Sequence, residues 1–167
     1  MTNITKINSK LSSNERILLN TDGSVTKILD VLFGEIHIRL LKQQCVQPPQ
    51  KIQNIFGTNA PLNKRQVMIC SHHLPLMYAK SFCNLSILPT QAQDMIKKDQ
   101  VPIGRILNHL KIETRREILS VNCKKMNKKY KMLFNCSGEI VMRKYVIYHT
   151  QRPLFHIKEV FVRGTLT

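Results

Sequence analysis

Three charged side chains fall in phase with apolar neighbours, which is where binding chemistry for a small anion is built. Arg65 alternates with Val67 and Ile69, and Lys80 alternates with Leu76, Tyr78 and Phe82. Glu159 shares its phase with Phe155, Ile157 and Phe161, leaving His156 and Lys158 on the other side. Strand side chains alternate between faces, so each charge is expected beside buried neighbours. A single cation in such a place can lie near a strand end and snorkel to water. Two on paired strands suggest an expected anion, because a buried, unpaired charge is costly. A carboxylate on an aromatic face is protonated, paired or functional. The structural alternative for Glu159 is an internal ion pair with Arg143 or another strand cation. The functional one is a carboxylate aimed into the same pocket as Arg65. Cations and one carboxylate around a pocket suit a small anionic substrate that carries a hydroxyl.

The elements that must position these groups follow from pattern. Gln66–Cys70 and Leu76–Leu88 are apolar runs rich in β-branched, aromatic and sulfur side chains, joined by Ser71-His72-His73-Leu74-Pro75, which predicts a β-hairpin. Upstream, Ser12-Ser13-Asn14-Glu15 offers caps for a short helical turn, and residues 1–11 are expected to be frayed. Ser24 is a good N-cap for a helix with apolar positions Val25, Ile28, Leu29, Leu32 and Phe33, stopped by Gly34. Glu35–Leu41 alternates as a half-buried strand, and 50–63 read as loop or short helix. Helices are expected from Thr90 to about Lys98 and from Pro102 onward, where Gly104 signals close backbone approach. Strands are expected at Lys111–Val121, whose charge content would also suit a helix, and at Lys131–Asn135, Glu139–Thr150 and Leu154–Val162. Strands in consecutive hairpins, rather than alternating βαβ units, predict an α+β fold with an antiparallel sheet, formed by one domain over 12–167.

Bulk properties bound the function. The 167 residues are 43% hydrophobic, so the chain can bury a core and an internal pocket. A formal charge of +16 suggests nucleic acid, but the cations are scattered and aromatics are only 6%, without base-stacking interleaves. Nucleic acid is therefore not the expected partner. The densest cluster, Lys124-Lys125, Lys128-Lys129 and Lys131, reads as a solvated turn. Cys45, Cys70, Cys83, Cys123 and Cys136 lack CxxC spacing, so buried thiols are expected rather than a disulfide framework or zinc site. No apolar run approaches the roughly 20 residues of a membrane helix.

Five segments in order, LLNTDGSVTKIL, KRQVMIC with LPLMYAKSFCNLSILP, VPIGRIL, TRREI and YVIYHTQRPLFHIKEVF, resemble the chorismate lyase family, in the branch of cyanobacteria, archaea and plastid genomes. The resemblance covers about residues 12–162. It implies a single antiparallel sheet whose helical flaps close over an internal cavity. It also implies cofactor-free conversion of chorismate to 4-hydroxybenzoate and pyruvate, supplying a quinone ring, in a plastid stroma or alternatively a bacterial cytoplasm. By position, it implies catalytic roles for Arg65, holding the ring carboxylate, and Glu159, meeting the ring hydroxyl. Lys80 would hold the enolpyruvyl carboxylate, though as a point charge rather than a fork. Val25 and Ile103 would be pocket walls, and Gly104 the turn glycine. A non-enzymatic effector domain of the same fold and a basic RNA-associated protein are the competing expectations.

Overall fold

The computed structural model describes residues 11–98 and 101–165. Two meanders build the sheet. The first is β1 (Ile36–Val46), β2 (Leu62–Ser71) and β3 (Leu74–Cys83), and the second is β4 (Arg115–Lys125), β5 (Glu139–His149) and β6 (Arg152–Val162). They meet along β3 and β6, giving a six-stranded sheet in the order β1-β2-β3-β6-β5-β4 with antiparallel neighbours throughout. The α+β class and single antiparallel sheet are therefore as the sequence predicts. The β5–β6 turn places Thr150 and Gln151 at φ 47° and 62°, the left-handed pair that matches strand twist.

Helices cover both faces. On one face lie α1 (Ser13–Asn20), α2 (Val25–Phe33), α4 (Thr90–Lys98) and α5 (Ile103–His109), packed through Leu18, Leu29, Ile96 and Ile106 into two apolar clusters. On the other lie α3 (Gln50–Phe56), whose Ile52 and Phe56 meet Phe82, and α6 (Lys128–Phe134), whose Tyr130 and Phe134 meet Tyr78 and Val160. Ser12 closes α1 with a capping box to Glu15, and Ser24 caps α2, accepting from Lys27 N. Of the expected frayed segment only Leu11 is described, and it is buried in the core; residues 1–10 lie outside the described residues. No helix is long and apolar enough to cross a membrane among the described residues.

Several boundaries differ from expectation. Lys131–Asn135 is no strand: the segment is α6, capped by Asn127 accepting from Tyr130 N and ended by Asn135 in the left-handed region. Tyr130, Leu133 and Phe134 have helical spacing, so the lysines around them belong to a strand end and this helix rather than to a turn. β3 stops at Cys83, and Leu85–Ile87 form a 3-10 turn in which Asn84 accepts from Ser86 N. β1 runs on to Val46, and β4 begins at Arg115 rather than Lys111.

Candidate active site

The α1/α2/α4/α5 face of the sheet is not filled completely. A cavity remains between the sheet and the N-terminal ends of α2 and α5, with about 60 Å³ available to the centres of water-sized spheres. At about 10–15 Å³ per water centre, that is room for a handful of waters or a small molecule of similar bulk. Its walls are chiefly strand side chains, Val67 and Ile69 from β2, Met77 and Ala79 from β3, and Ile147 and Ile157 from β5 and β6. Val25, Ile103 and Gly104 close it from the helix side.

Arg65 projects into this cavity from β2 and is 2% exposed. One of its terminal nitrogens donates to Val101 O at 3.1 Å, tying the guanidinium to the segment that leads into α5. Glu159 reaches the cavity from β6 and is nearly as buried. It makes the internal ion pair and also lines the same cavity as Arg65. Its Oε2 accepts from Arg143 Nε at 2.6 Å, a buried ion pair, and its Oε1 accepts from Tyr145 Oη at 2.8 Å. Burial works against the Arg143 charge, but the Glu159 carboxylate and Tyr145 together outweigh it and hold its pKa above the usual value. Burial, with the Glu159 charge, pushes the Tyr145 phenol far up, so it stays a donor. Arg143 also donates to Leu18 O at 2.7 Å and Thr21 O at 2.9 Å, the carbonyls at the end of α1. One guanidinium thus fixes the carboxylate and the loop entering α2 together.

Lys80 is not brought to this cavity. The register pairs Arg65 with Ser81 and Gln66 with Lys80, so Ser81 faces the cavity while Lys80 points to the opposite face. The reason is that helices cover both faces, making apolar phase a poor guide to which side holds the void. The second cavity cation is Arg116 on β4, whose Nη1 donates to Asp22 O at 2.9 Å. Its signal was present: in TRREIL, Arg116 alternates with Ile118, as Arg65 does with Val67. Arg116 also lines an outer cleft shared by Asp30, Arg105 and Asn108, so it stands between the cavity and the surface.

Gly104 makes the close approach expected of it. A Cβ there would lie 3.0 Å from Ser24 Oγ, so any larger residue would press on the cap of α2. Asp30 on α2 pairs with Arg105 on α5 at 2.6 Å, joining the same two helices at the surface.

Several known proteins resemble this chain. A protein of Methanocaldococcus jannaschii with a provisional lyase name is 34% identical over 98% of this chain and 87% of its own length. A Mycobacterium leprae chorismate pyruvate-lyase is 28% identical over 65% of this chain and 53% of that protein. The ycf21 protein of Cyanophora paradoxa is 30% identical over 87% of this chain and 75% of that protein. Among solved structures, PhnF from Mycobacterium smegmatis superposes with a TM-score of 0.73 at 10% identity, covering 89% of this chain and 67% of that one. Its separate effector domain gives 0.69 at 10% identity, covering 86% and 90%. These structural likenesses speak to the fold, which is the chorismate lyase-like one. With the family description matching residues 19–166, the chain belongs to the Rv2949c-like chorismate pyruvate-lyase family.

Proposed function

We propose that the protein eliminates pyruvate from chorismate to give 4-hydroxybenzoate, a quinone ring precursor, with no cofactor. The observation that carries the proposal is one small, apolar cavity holding the Arg65 and Arg116 guanidiniums and the braced Glu159 carboxylate. Chorismate is a dianion with a ring hydroxyl, and this set matches it group for group. Arg65 holds the ring carboxylate, and Arg116, in the role the sequence suggested for Lys80, holds the enolpyruvyl carboxylate. Arginine suits both tasks, because its fork meets a carboxylate with two parallel bonds. Glu159 receives one donor on each oxygen from the protein and keeps lone pairs for the C4 hydroxyl.

The reaction breaks the C3–O bond to the enolpyruvyl group and the C4–H bond. The C–O electron pair leaves with the enolpyruvyl oxygen, the C4–H pair completes the aromatic ring, and the proton ends on the enolpyruvate, which becomes pyruvate. Charge gathers on the departing oxygen, where Arg116 stands closest to the mouth. Fixed cations in a largely apolar cavity stabilise that charge with little rearrangement. Glu159 orients the hydroxyl, and transfer of hydrogen within the substrate needs no protein base.

Purified protein incubated with chorismate should produce 4-hydroxybenzoate absorbance and stoichiometric pyruvate. Tight chorismate binding without either product would instead favour an effector-type module, the reading encouraged by the likeness to the PhnF effector domain. A plastid stroma is the proposed compartment, supported by the ycf21 likeness, with a bacterial cytoplasm as the alternative.

A further inference from the structure

The sheet face away from the cavity carries a charge pattern that the proposed reaction does not use. One register row crosses all six strands and reads Lys42, Gln66, Lys80, Lys158, Lys144, Ser120. Lys80, Lys158 and Lys144 are direct cross-strand neighbours on three adjacent strands, an arrangement that like-charge repulsion disfavours. α3 packs against Phe82 on one side of the row, and α6 packs against Tyr78 on the other. The row is therefore the floor of a strip between two helices. The ion pairs found among the described residues all use arginines, none of these lysines. Glu117, on the same face, is engaged with Arg115 at 3.1 Å.

The ammonium groups are held rather than splayed. Lys129 Nζ from α6 donates to Tyr78 Oη at 3.1 Å, and Lys158 Nζ donates to Tyr130 Oη at 2.8 Å. Tyr78 Oη in turn donates to Gln66 at 2.6 Å, and Lys80 Nζ lies 5.0 Å from the Phe82 ring centre. Each ammonium has three donors, so Lys129 and Lys158 keep N–H groups for an oxyanion. Lys80 sits at the centre: burial lowers its pKa, and Lys64, Lys129 and Lys158 lower it further. Burial and Lys129 do the same to Lys158.

We propose that this strip, centred on Lys80 and Lys158 with Lys129, Lys144 and Lys64 around them, binds a small oligophosphate anion. Neighbouring strands are about 4.8 Å apart, so the cations crowd within the length of a few linked phosphates. The adjacent rings of Tyr78, Tyr130 and Phe82 are buried, which leaves no platform on which nucleic acid bases could stack. Recognition here is of phosphate charge alone, supplied by an inorganic chain or by a nucleotide tail. The site lies across the sheet from the cavity and does not depend on the lyase reading.

The test titrates the full chain with tripolyphosphate, ATP and inorganic phosphate at constant ionic strength. It follows tyrosine fluorescence and the unfolding temperature. Tripolyphosphate should change both saturably, with inorganic phosphate at least tenfold weaker. ATP bound as tightly as tripolyphosphate identifies the phosphate chain as sufficient, and ATP bound at least tenfold more tightly overturns recognition by phosphate charge alone. The double variant K80M/K158M should lose at least tenfold in affinity, and the exposed control K97Q/K98Q less than twofold. Should K80M/K158M fail to fold, K144Q, at an exposed position, should still weaken tripolyphosphate about threefold. Equal affinity in the row variants and wild type, or an equal loss in the control, overturns the site. A single-stranded oligonucleotide that outcompetes tripolyphosphate and depends on the same lysines overturns the ligand class.

Discussion

At the scale of single residues, the reading rests on which charges share the void. Arg65→Ala removes the buried guanidinium proposed to grip the ring carboxylate, and should lower kcat/KM for chorismate by about 10³-fold, at the upper range for one electrostatic contact. The unfolding midpoint should stay near wild type if the shape of the site survives. Unchanged pyruvate release from that variant removes Arg65 from the mechanism. Glu159→Gln keeps the shape but changes the partner of Arg143, so turnover should fall more than substrate binding. Arg116→Ala should raise KM at least tenfold, whereas Lys80→Met should leave turnover within about twofold, since its side chain points to the other face. Arg65 and Glu159 were legible because alternation placed each among apolar neighbours. Lys80 had the same signature and proved to face away, since period-two patterns assign residues to a face without naming the face. Arg116 is not legible in the same way, because its short segment begins amid Thr114, Arg115 and Glu117, where charge density masks alternation.

At the scale of elements, the cavity is closed by contact between the start of α5 and the cap of α2. Gly104→Ala puts a methyl group 3.0 Å from Ser24 Oγ, which is itself bonded to Thr26 Oγ1 at 2.8 Å and cannot retreat freely. The expected outcome is a rise in KM with a stability change below about 1 kcal/mol, since the close contact is with one small side chain and not with backbone. Adding Ser24→Ala should restore much of the binding, at about 1 kcal/mol for the lost cap. A G104A enzyme with wild-type KM would show that this closure does not shape the site. Arg143 links elements more deeply, joining β5, β6 and the last carbonyls of α1. Its replacement by Met strands the Glu159 charge in the interior, which costs about 3–5 kcal/mol and is readable by urea unfolding. The capped helices could be read from sequence because Ser24 and Gly34 coincide with periodicity, and the β2–β3 hairpin from its two apolar runs, although the joint is only His72-His73 and Pro75, expected in it, lies in β3. α6 could not, since an expectation beginning at Lys131 cut off Tyr130, the residue that completes its helical stripe.

At the scale of the whole molecule, part of a high net charge is carried by half-buried groups on the sheet face away from the cavity, and this makes stability depend on pH in a definite direction. His156 lies on that face beside Phe82, and burial pushes its pKa from 6.5 down to about 4, with Lys144 and Lys80 adding to the effect. Above pH 6.5 the ring is neutral in folded and unfolded chains alike, so it contributes nothing to the pH slope. Between 6.5 and 4 the unfolded chain takes up a proton that the folded chain refuses, and stability falls as the pH falls. The loss should total about 2 kcal/mol once screening by solvent is allowed for. Lys80 and Lys158 act in the same sense at the other end. Their folded pKa values lie below 10.5, so stability should rise as the pH climbs from those values towards 10.5 and the row loses its charge. The check is a set of urea unfolding curves at pH 4.5 and 7 for wild type and His156→Asn. The variant should lose less stability on acidification, because a neutral amide has no proton to exclude. An identical acid loss in both proteins would mean that the histidine ring is already solvated in the folded chain and does not contribute to the acid slope.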